Sequence, residues 1–457
     1  MKLNKFVGRG IHGYLDLDFN FLDNLTFLTG INGSGKTTAL NAIVALISPN
    51  LATLANLDYK NLSVDLEHQG RKLQIRSQKR EDSIIFKVSS VKEDLKYPRY
   101  LSDHDFPSAA LVEAESEHYR EVQAAMSSHP TLRAIAALPT PMFLGLDRRA
   151  RIEDDVRRPR ANLRYARLSR NIFGASLSRS LIEACDLAET KYRDALIESG
   201  KLAEQFQQEI LLNLITFDDS DRYKLSAPSD ADRREITRTK GDLDGLAKIL
   251  RLPEDEVRER MGPFLDELAE LASKIPTKTN VEDALQHKQG TAMLNKLFTW
   301  SGKQPYLRRI KALSATVRKY NSLRDEILLP TTKYLELVNR FLNDSGKEIA
   351  ITDKGYLSVK IQGVQHESQI TSLSSGEAQI FVILTQLAFN PLAQKDNVFI
   401  IDEPELSLHL QWQELLVESM ISANSNVQYV LATHSPSIIL EKVASCVDIS
   451  RQFSKLS

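Results

Sequence analysis

Polar and apolar positions alternate through the first stretch of the chain: Leu15, Leu17, Phe19 and Phe21 are interleaved with Tyr14, Asp16, Asp18 and Asn20. That period of two predicts a half-buried strand, and residues 1–29 read as two short strands joined by a turn. The apolar run at residues 25–28 reads as a strand, and residues 39–46 read as a helix. Three more alternating stretches, 62–67, 72–76 and 83–88, are separated by turn-forming residues and predict antiparallel hairpins. Residues 97–100 read as a loop and 111–126 as a helix, while Pro139-Thr140-Pro141 reads as a loop feeding a buried strand over 143–146.

Beyond residue 176 the period lengthens. Leu181, Cys185, Ala188, Tyr192 and Ala195 recur at helical spacing, with Phe206, Ile210 and Leu214 continuing the stripe. Polar breaks at 218–221 and around 226–240 are the best internal linker positions, and 242–274 reads as amphipathic helices. Ile310, Leu313, Val317, Tyr320 and Ile327 fall on heptad a and d positions, interrupted by Arg324, and Pro330 is expected to end that helix. Two such helices can pair as a short antiparallel arm; an amphipathic helix packed on a bundle explains the same spacing. A helix at 333–342 follows, then two strands, 348–352 and 357–361, around the turn Asp353-Lys354-Gly355. An apolar helix at 378–387 and two buried strands, 398–401 and 427–432, complete a mixed α/β pattern.

Composition narrows the class. With 457 residues, 42% hydrophobic and 26% charged, the chain is globular and long enough for two or three domains. A net charge of −1 provides no overall field for nucleic acid or anionic membrane. Two cysteines, Cys185 and Cys446, have no metal-ligand spacing and suit a reducing compartment. The first residues lack an apolar signal core, so the expectation is a cytoplasmic protein with no membrane partner. Residues 148–170 hold nine arginines, no lysine and three acids, a composition suited to bidentate contacts with phosphate or carboxylate and equally to a solvated segment.

The chemistry sits in three places. Gly30-Ile31-Asn32-Gly33-Ser34-Gly35-Lys36-Thr37-Thr38 fits G-x-x-x-x-G-K-[ST] between a strand and a helix. Such a loop turns successive N–H groups toward phosphate, with Lys36 reaching the β- and γ-phosphates and Thr37 ligating Mg²⁺. Thr371-Ser372-Leu373-Ser374-Ser375-Gly376-Glu377 opens the apolar helix at 378–387, and alone reads more readily as a helix cap. Asn397-Val398-Phe399-Ile400-Ile401-Asp402-Glu403-Pro404 is a buried strand ending in two acids, which suits Asp402 to hold Mg²⁺ through water and Glu403 to polarise the attacking water. The strand at 427–432 ends at Thr433-His434-Ser435, where His434 can sense a γ-phosphate.

In this order the phosphate loop, Leu373-Ser374-Ser375-Gly376-Glu377, Phe399-Ile400-Ile401-Asp402-Glu403-Pro404-Glu405 and His434 resemble the ABC-type ATPase head of the SMC, Rad50 and RecF class. The sequence is most similar to the AAA15 and OLD-like ATPases of bacterial anti-phage defence, such as Septu, PARIS and retron-associated ATPase subunits. The opening Phe6-Val7-Gly8-Arg9-Gly10-Ile11 and the form Asn32-Gly33-Ser34-Gly35-Lys36 share that likeness. The resemblance implies a P-loop head with an antiparallel β subdomain at 1–147, a helical insertion at 148–344 and the second half of the head at 345–457. It implies ATP and Mg²⁺ as cofactors, bound by Asn32, Gly33, Ser34, Gly35, Lys36, Thr37 and Thr38, with Thr37 and Asp402 at the metal, Glu403 as catalytic base and His434 as switch. It implies a head-to-tail homodimer, or a higher homo-oligomer, in which Ser374, Ser375, Gly376 and Glu377 of one chain close on the other's nucleotide, and it puts Ser407-Leu408-His409 at the dimer-contacting loop. Ser375 and Glu377 depart from the Gly and Gln common at those positions, and the equivalent of the glutamine loop is sought at Asp147-Arg148. The long interval between Thr38 and Leu373 exceeds that of a transporter head yet lacks the heptads of a Rad50 arm.

The functional expectation is an ATPase sensor or scaffold that controls a separate effector, a nuclease, with a nucleic acid or phage component as a further partner. A repair ATPase of RecF or Rad50 type, binding DNA directly, and an ATP-gated interaction module that barely hydrolyses are the alternatives.

Overall fold

The computed structural model describes residues 1–48, 50–100, 109–144, 174–215, 225–277, 290–352, 354–393 and 396–450. The arginine-rich stretch 148–170, Asp147 and the polar break at 218–221 lie outside them. The chain divides into two compact units, Met1–Lys191 with Lys333–Ser457, and Tyr192–Thr332.

In chain order the elements are β1 (Lys2–Ile11), β2 (Leu15–Asn20), β3 (Leu25–Thr29), α1 (Lys36–Ile47), α2 (Leu51–Asn56), β4 (Asn61–His68), β5 (Arg71–Lys79), β6 (Ser83–Val88), β7 (Leu95–Pro98), α3 (Ala109–Ala125), α4 (Pro130–Ala136) and β8 (Met142–Leu144). The helices α5 (Gly174–Ile215), α6 (Asp230–Leu250), α7 (Glu254–Ser273) and α8 (Gly290–Leu342) follow. After them come β9 (Lys347–Ile351), β10 (Leu357–Ile361), α9 (Ser375–Phe389), β11 (Val398–Asp402), α10 (Leu410–Ala423), β12 (Gln428–Ala432), α11 (Pro436–Ile439) and β13 (Cys446–Asp448).

The first unit is built on two larger sheets. One is antiparallel in the order β2-β1-β4-β5-β6-β7; the other is parallel in the order β13-β3-β12-β11-β8. Continuous apolar runs such as Val398-Phe399-Ile400-Ile401 arise because the parallel sheet is covered on both faces. Phe143, Val398, Ile400 and Val430 share a core with α1 and the antiparallel sheet. Phe27, Phe399, Ile401, Tyr429 and Leu431 share another with α9, α10 and the β9–β10 hairpin. In register, Leu28 lies opposite Ala432 and Ala432 opposite Asp402, so the ends of β3, β12 and β11 stand side by side.

The second unit has its own core, where Phe206, Ile236, Leu243, Leu265, Trp300 and Val317 pack together. The heptad residues Ile310, Leu313, Val317 and Tyr320 belong to this cluster, so their spacing serves a bundle of helices.

Three local expectations change. The linker placed around 226–240 is helix from Asp230: Ser229 caps it, accepting the Asp232 N–H at 3.1 Å while the Asp232 carboxylate accepts the Ser229 N–H at 2.9 Å. Its polarity is that of a helix with one buried stripe, Ile236, Thr239, Leu243 and Leu246, and Arg318 pairs with Glu235 and Asp242 at 2.9 and 2.8 Å. Pro330 does not end its helix, which runs from Gly290 to Leu342 through Pro305 and Pro330. Each proline removes one backbone donor, while packed residues on either side, Val317 and Tyr320 before and Tyr334 and Val338 after, hold the helix. Residues 97–98, read as loop, finish β7, with Leu95 and Tyr97 buried; at the sheet's last strand Pro98 is tolerated.

Candidate functional site

The turn between β3 and α1 is the phosphate-type loop, and its geometry requires glycine. Gly35 caps α1 at φ 90°, and a Cβ there would collide with the Leu15 side chain. Asn32 and Gly33 are exposed at the tip, Thr37 and Thr38 are half-buried in the first helical turn, and the Thr38 hydroxyl lies 3.4 Å from His12 Nε2. Ser34 is fully buried, and its hydroxyl makes no hydrogen bond among the described residues. An orphaned buried hydroxyl at a helix N-terminus fits an anionic oxygen ligand.

Lys36 is buried to 5% exposure. Its ammonium donates to Gly30 O at 3.1 Å, to Ile31 O at 3.4 Å and to the His434 ring. Burial lowers its proton affinity, and the carboxylates of Glu403, Asp402 and Glu405 oppose that shift. Those acids come from the end of β11. Asp402 is buried as its last residue, and Glu403 sits at φ 47° with its N–H donating to Ala432 O at 2.8 Å. From the neighbouring β12, Thr433 is buried and His434 exposed, and the His434 N–H donates to Glu405 Oε1 at 2.8 Å. Thus Lys36, Asp402, Glu403 and His434 meet at one edge of the parallel sheet, where strand C-termini converge. The Asp402 carboxylate at this edge, and the hydroxyl of Thr37 next to Lys36 in the first turn of α1, are hard oxygen donors of the kind that would suit Mg²⁺.

The serine-rich turn is built differently. Ser374 and Ser375 are exposed at the start of α9, whereas Gly376 and Glu377 are buried. Glu377 closes a capping box with Ser374: its Oε2 accepts the Ser374 N–H at 2.5 Å, and its own N–H reaches Ser374 Oγ at 3.3 Å. The same carboxylate accepts from Lys347 Nζ at 2.8 Å and Ser345 Oγ at 2.6 Å. Burial pushes the Glu377 pKa up, but these hydrogen bonds and the Lys347 charge bring it below its ordinary value. The Glu377 side chain is therefore occupied within its own chain, leaving Ser374 and Ser375 as the exposed part of this turn. Gly376 packs so closely on the loop after β11 that a Cβ would lie 2.5 Å from Ser407 O. Ser407 itself is at φ 65°, and Leu408 is buried. Gln379, one turn into α9, donates to Pro404 O at 3.0 Å.

Sequence reading gave no role to His12, Gln379 or Glu405. Glu405 lies within the acidic strand motif, but a contact with a backbone N–H from another strand has no sequence spacing to reveal it. A separate cavity of about 350 Å³ is lined by Val7, Arg9, Ser63, Arg76 and Lys87 on the antiparallel sheet, and includes no residue of this edge. Among the described residues, no helix is long and apolar enough to cross a membrane.

Comparison with known proteins adds to this geometry. The family model described as the AAA ATPase domain, AAA_15, matches residues 1–439. The chain is 29% identical over 139 residues to the retron Vc95 probable ATPase of Vibrio cholerae serotype O1 biovar El Tor, covering 30% of this chain and 24% of that protein. It is 32% identical over 89 residues to the retron Ec83 probable ATPase of Escherichia coli, covering 19% of this chain and 16% of that protein. The matched segments thus span about a quarter or less of those relatives. Among solved structures, the Smc head domain with an extended coiled coil bound to the C-terminal domain of ScpA, from Pyrococcus furiosus, aligns at a TM-score of 0.37 and 10% identity, covering 96% of this chain and 91% of that chain. The Smc head with a coiled coil and joint from Pyrococcus yayanosii aligns at 0.35 and 12%, covering 96% and 93%.

Proposed function

Because this chain belongs to the AAA ATPase domain family across residues 1–439, we propose that it binds ATP at the phosphate loop and hydrolyses it to ADP and phosphate. The observation that carries this reading is the meeting of Lys36, the Asp402–Glu403 pair and His434 at one sheet edge. In this reading, the loop residues Asn32, Gly33, Ser34, Gly35, Thr37 and Thr38 and the Lys36 ammonium hold the phosphates, and Thr37 and Asp402 hold Mg²⁺. The ion, when bound, neutralises charge on the phosphates. Glu403 accepts a proton from the attacking water, and His434 donates to the γ-phosphate. The turnover test is Glu403→Gln: hydrolysis should fall about a hundredfold or more, while ATP binding persists. A variant that hydrolyses normally removes Glu403 as the base.

The same reading extends to assembly. Two heads pair head to tail, and Ser374, Ser375 and Gly376 of one chain face the nucleotide of the other, which the outward exposure of both serines supports. The segments 1–147 and 345–457 act as the two halves of the head and 148–344 as its helical insertion. We infer further that the chain acts as a cytoplasmic sensor or scaffold subunit of an anti-phage defence complex that controls a separate nuclease; the likeness to proteins named as retron probable ATPases supports only its ATPase part and a link to retrons. Co-purification from source cells of wild type and Glu403→Gln with ATP, read by mass spectrometry and light scattering, tests this. A stoichiometric nuclease on an oligomer of this chain is expected. A complex of this chain alone that assembles on DNA when ATP is trapped would overturn the defence reading and favour a repair ATPase.

A further inference from the structure

Lys36 has three N–H donors, and three acceptors meet them: Gly30 O, Ile31 O and the His434 ring. The ring accepts through a nitrogen that carries no hydrogen. Two of the acceptors belong to the phosphate loop itself. The third comes from an exposed side chain on the loop after β12. A phosphate oxygen that accepts from Lys36 takes over one of these donors, and the ring is the partner that gives way.

Something must keep an exposed histidine over a buried lysine. Glu405 does this through the backbone: its Oε1 accepts the His434 N–H at 2.8 Å. Glu405 is fixed in turn by the tight turn after β11, where the Leu406 N–H donates to Glu403 O at 3.2 Å and the Leu408 N–H to Glu405 O at 3.0 Å. Gln379 holds the same turn from α9 through Pro404 O. We propose that Glu405 is a positioning residue that fixes the His434 loop so that the ring caps Lys36, and that incoming phosphate displaces a ring already held beside its γ-position. Nucleotide entry and the placing of His434 then become one event. This rests on the reading that phosphate binds at Lys36, and it adds a competitor, His434, and the residue that holds it.

A purely electrostatic role makes a different forecast, because the Glu405 charge also acts on Lys36. Glu405→Gln keeps an acceptor for the His434 N–H and removes the charge, so it separates the two. The experiment compares the full chain with Glu405→Ala, Glu405→Gln, His434→Ala and the double variant Glu405→Ala/His434→Ala, measuring ADP affinity by calorimetry and kcat and KM for ATP. Glu405→Ala should lower kcat about tenfold, the scale of one hydrogen bond, and tighten ADP binding about threefold, as His434→Ala does, by releasing the cap. Glu405→Gln should stay within about twofold of wild type in both. In the His434→Ala background, Glu405→Ala should add nothing, since coupled residues are non-additive. Additive effects, or a Gln variant as impaired as Ala, overturn the proposal. Should Glu405→Ala not fold, Glu405→Asp, one methylene too short, replaces it in the same cycle. A wild type that binds ADP without turnover overturns the hydrolysis reading alone, and the affinity cycle decides this proposal. A wild type that binds no nucleotide overturns both.

Discussion

Burial and three carboxylates pull the proton affinity of Lys36 in opposite directions. A cation held this way is buried at low cost only where acceptors and counter-charges surround it. Lys36→Ala should therefore cost nucleotide affinity rather than fold: titration with a fluorescent ATP analogue is expected to show a loss of about tenfold or more, the scale of one charged hydrogen bond, with a retained circular dichroism spectrum. Unchanged affinity would remove Lys36 from the phosphate site. The sequence made this residue legible because the glycine spacing and the flanking strand and helix are local features. It did not make Glu405 legible, since the partner of Glu405 is a backbone group about thirty residues on that only the pairing of β11 with β12 brings near.

At the scale of the element, α9 is the helix whose start has both a structural and an outward face. Glu377 and Lys347 form a pair with side chains 3% and 18% exposed, and removing one partner of such a pair costs about 3 kcal/mol. Glu377→Ala should lose roughly that in urea denaturation, and an unchanged midpoint would contradict the contact. The folded-state pKa of Glu377 is depressed, so its contribution is present above the unfolded value and is lost as pH falls through the folded value. The stability gap between wild type and Glu377→Ala should accordingly be full near neutral pH and close as pH drops below the ordinary carboxylate range; a gap that is flat with pH would refute the shift. Gly376→Ala should cost about 1–3 kcal/mol of strain, because its Cβ would meet the Ser407 carbonyl at 2.5 Å, a backbone atom that cannot rotate away. The capping box was readable from Ser374 and Glu377 three residues apart, as was the one that starts α6 from Ser229 and Asp232. The second was missed because the polar residues around it outweighed the sparse apolar stripe.

For the whole molecule, a ligand that binds only the folded chain raises its stability by mass action. With Mg²⁺ and ATP at a hundred times the dissociation constant, the first unit should gain about 2.7 kcal/mol, visible as an upward thermal shift that Lys36→Ala abolishes. A shift that survives in the variant would put the nucleotide elsewhere. What the sequence determined by itself was local: the phosphate loop between β3 and α1, the apolar strands that end in Asp402–Glu403 and before His434, and the period-two stretches of the antiparallel sheet. Each of these rests on residues a few positions apart. What only the tertiary structure decided was neighbourhood. The order β3-β12-β11 brings the His434 loop between the phosphate loop and the acids, the Lys347–Glu377 pair turns one residue of the serine-rich turn inward, and packed residues on either side carry α8 through Pro330. Those outcomes depend on contacts between segments tens to hundreds of residues apart, where burial and hydrogen bonding outweigh local propensity.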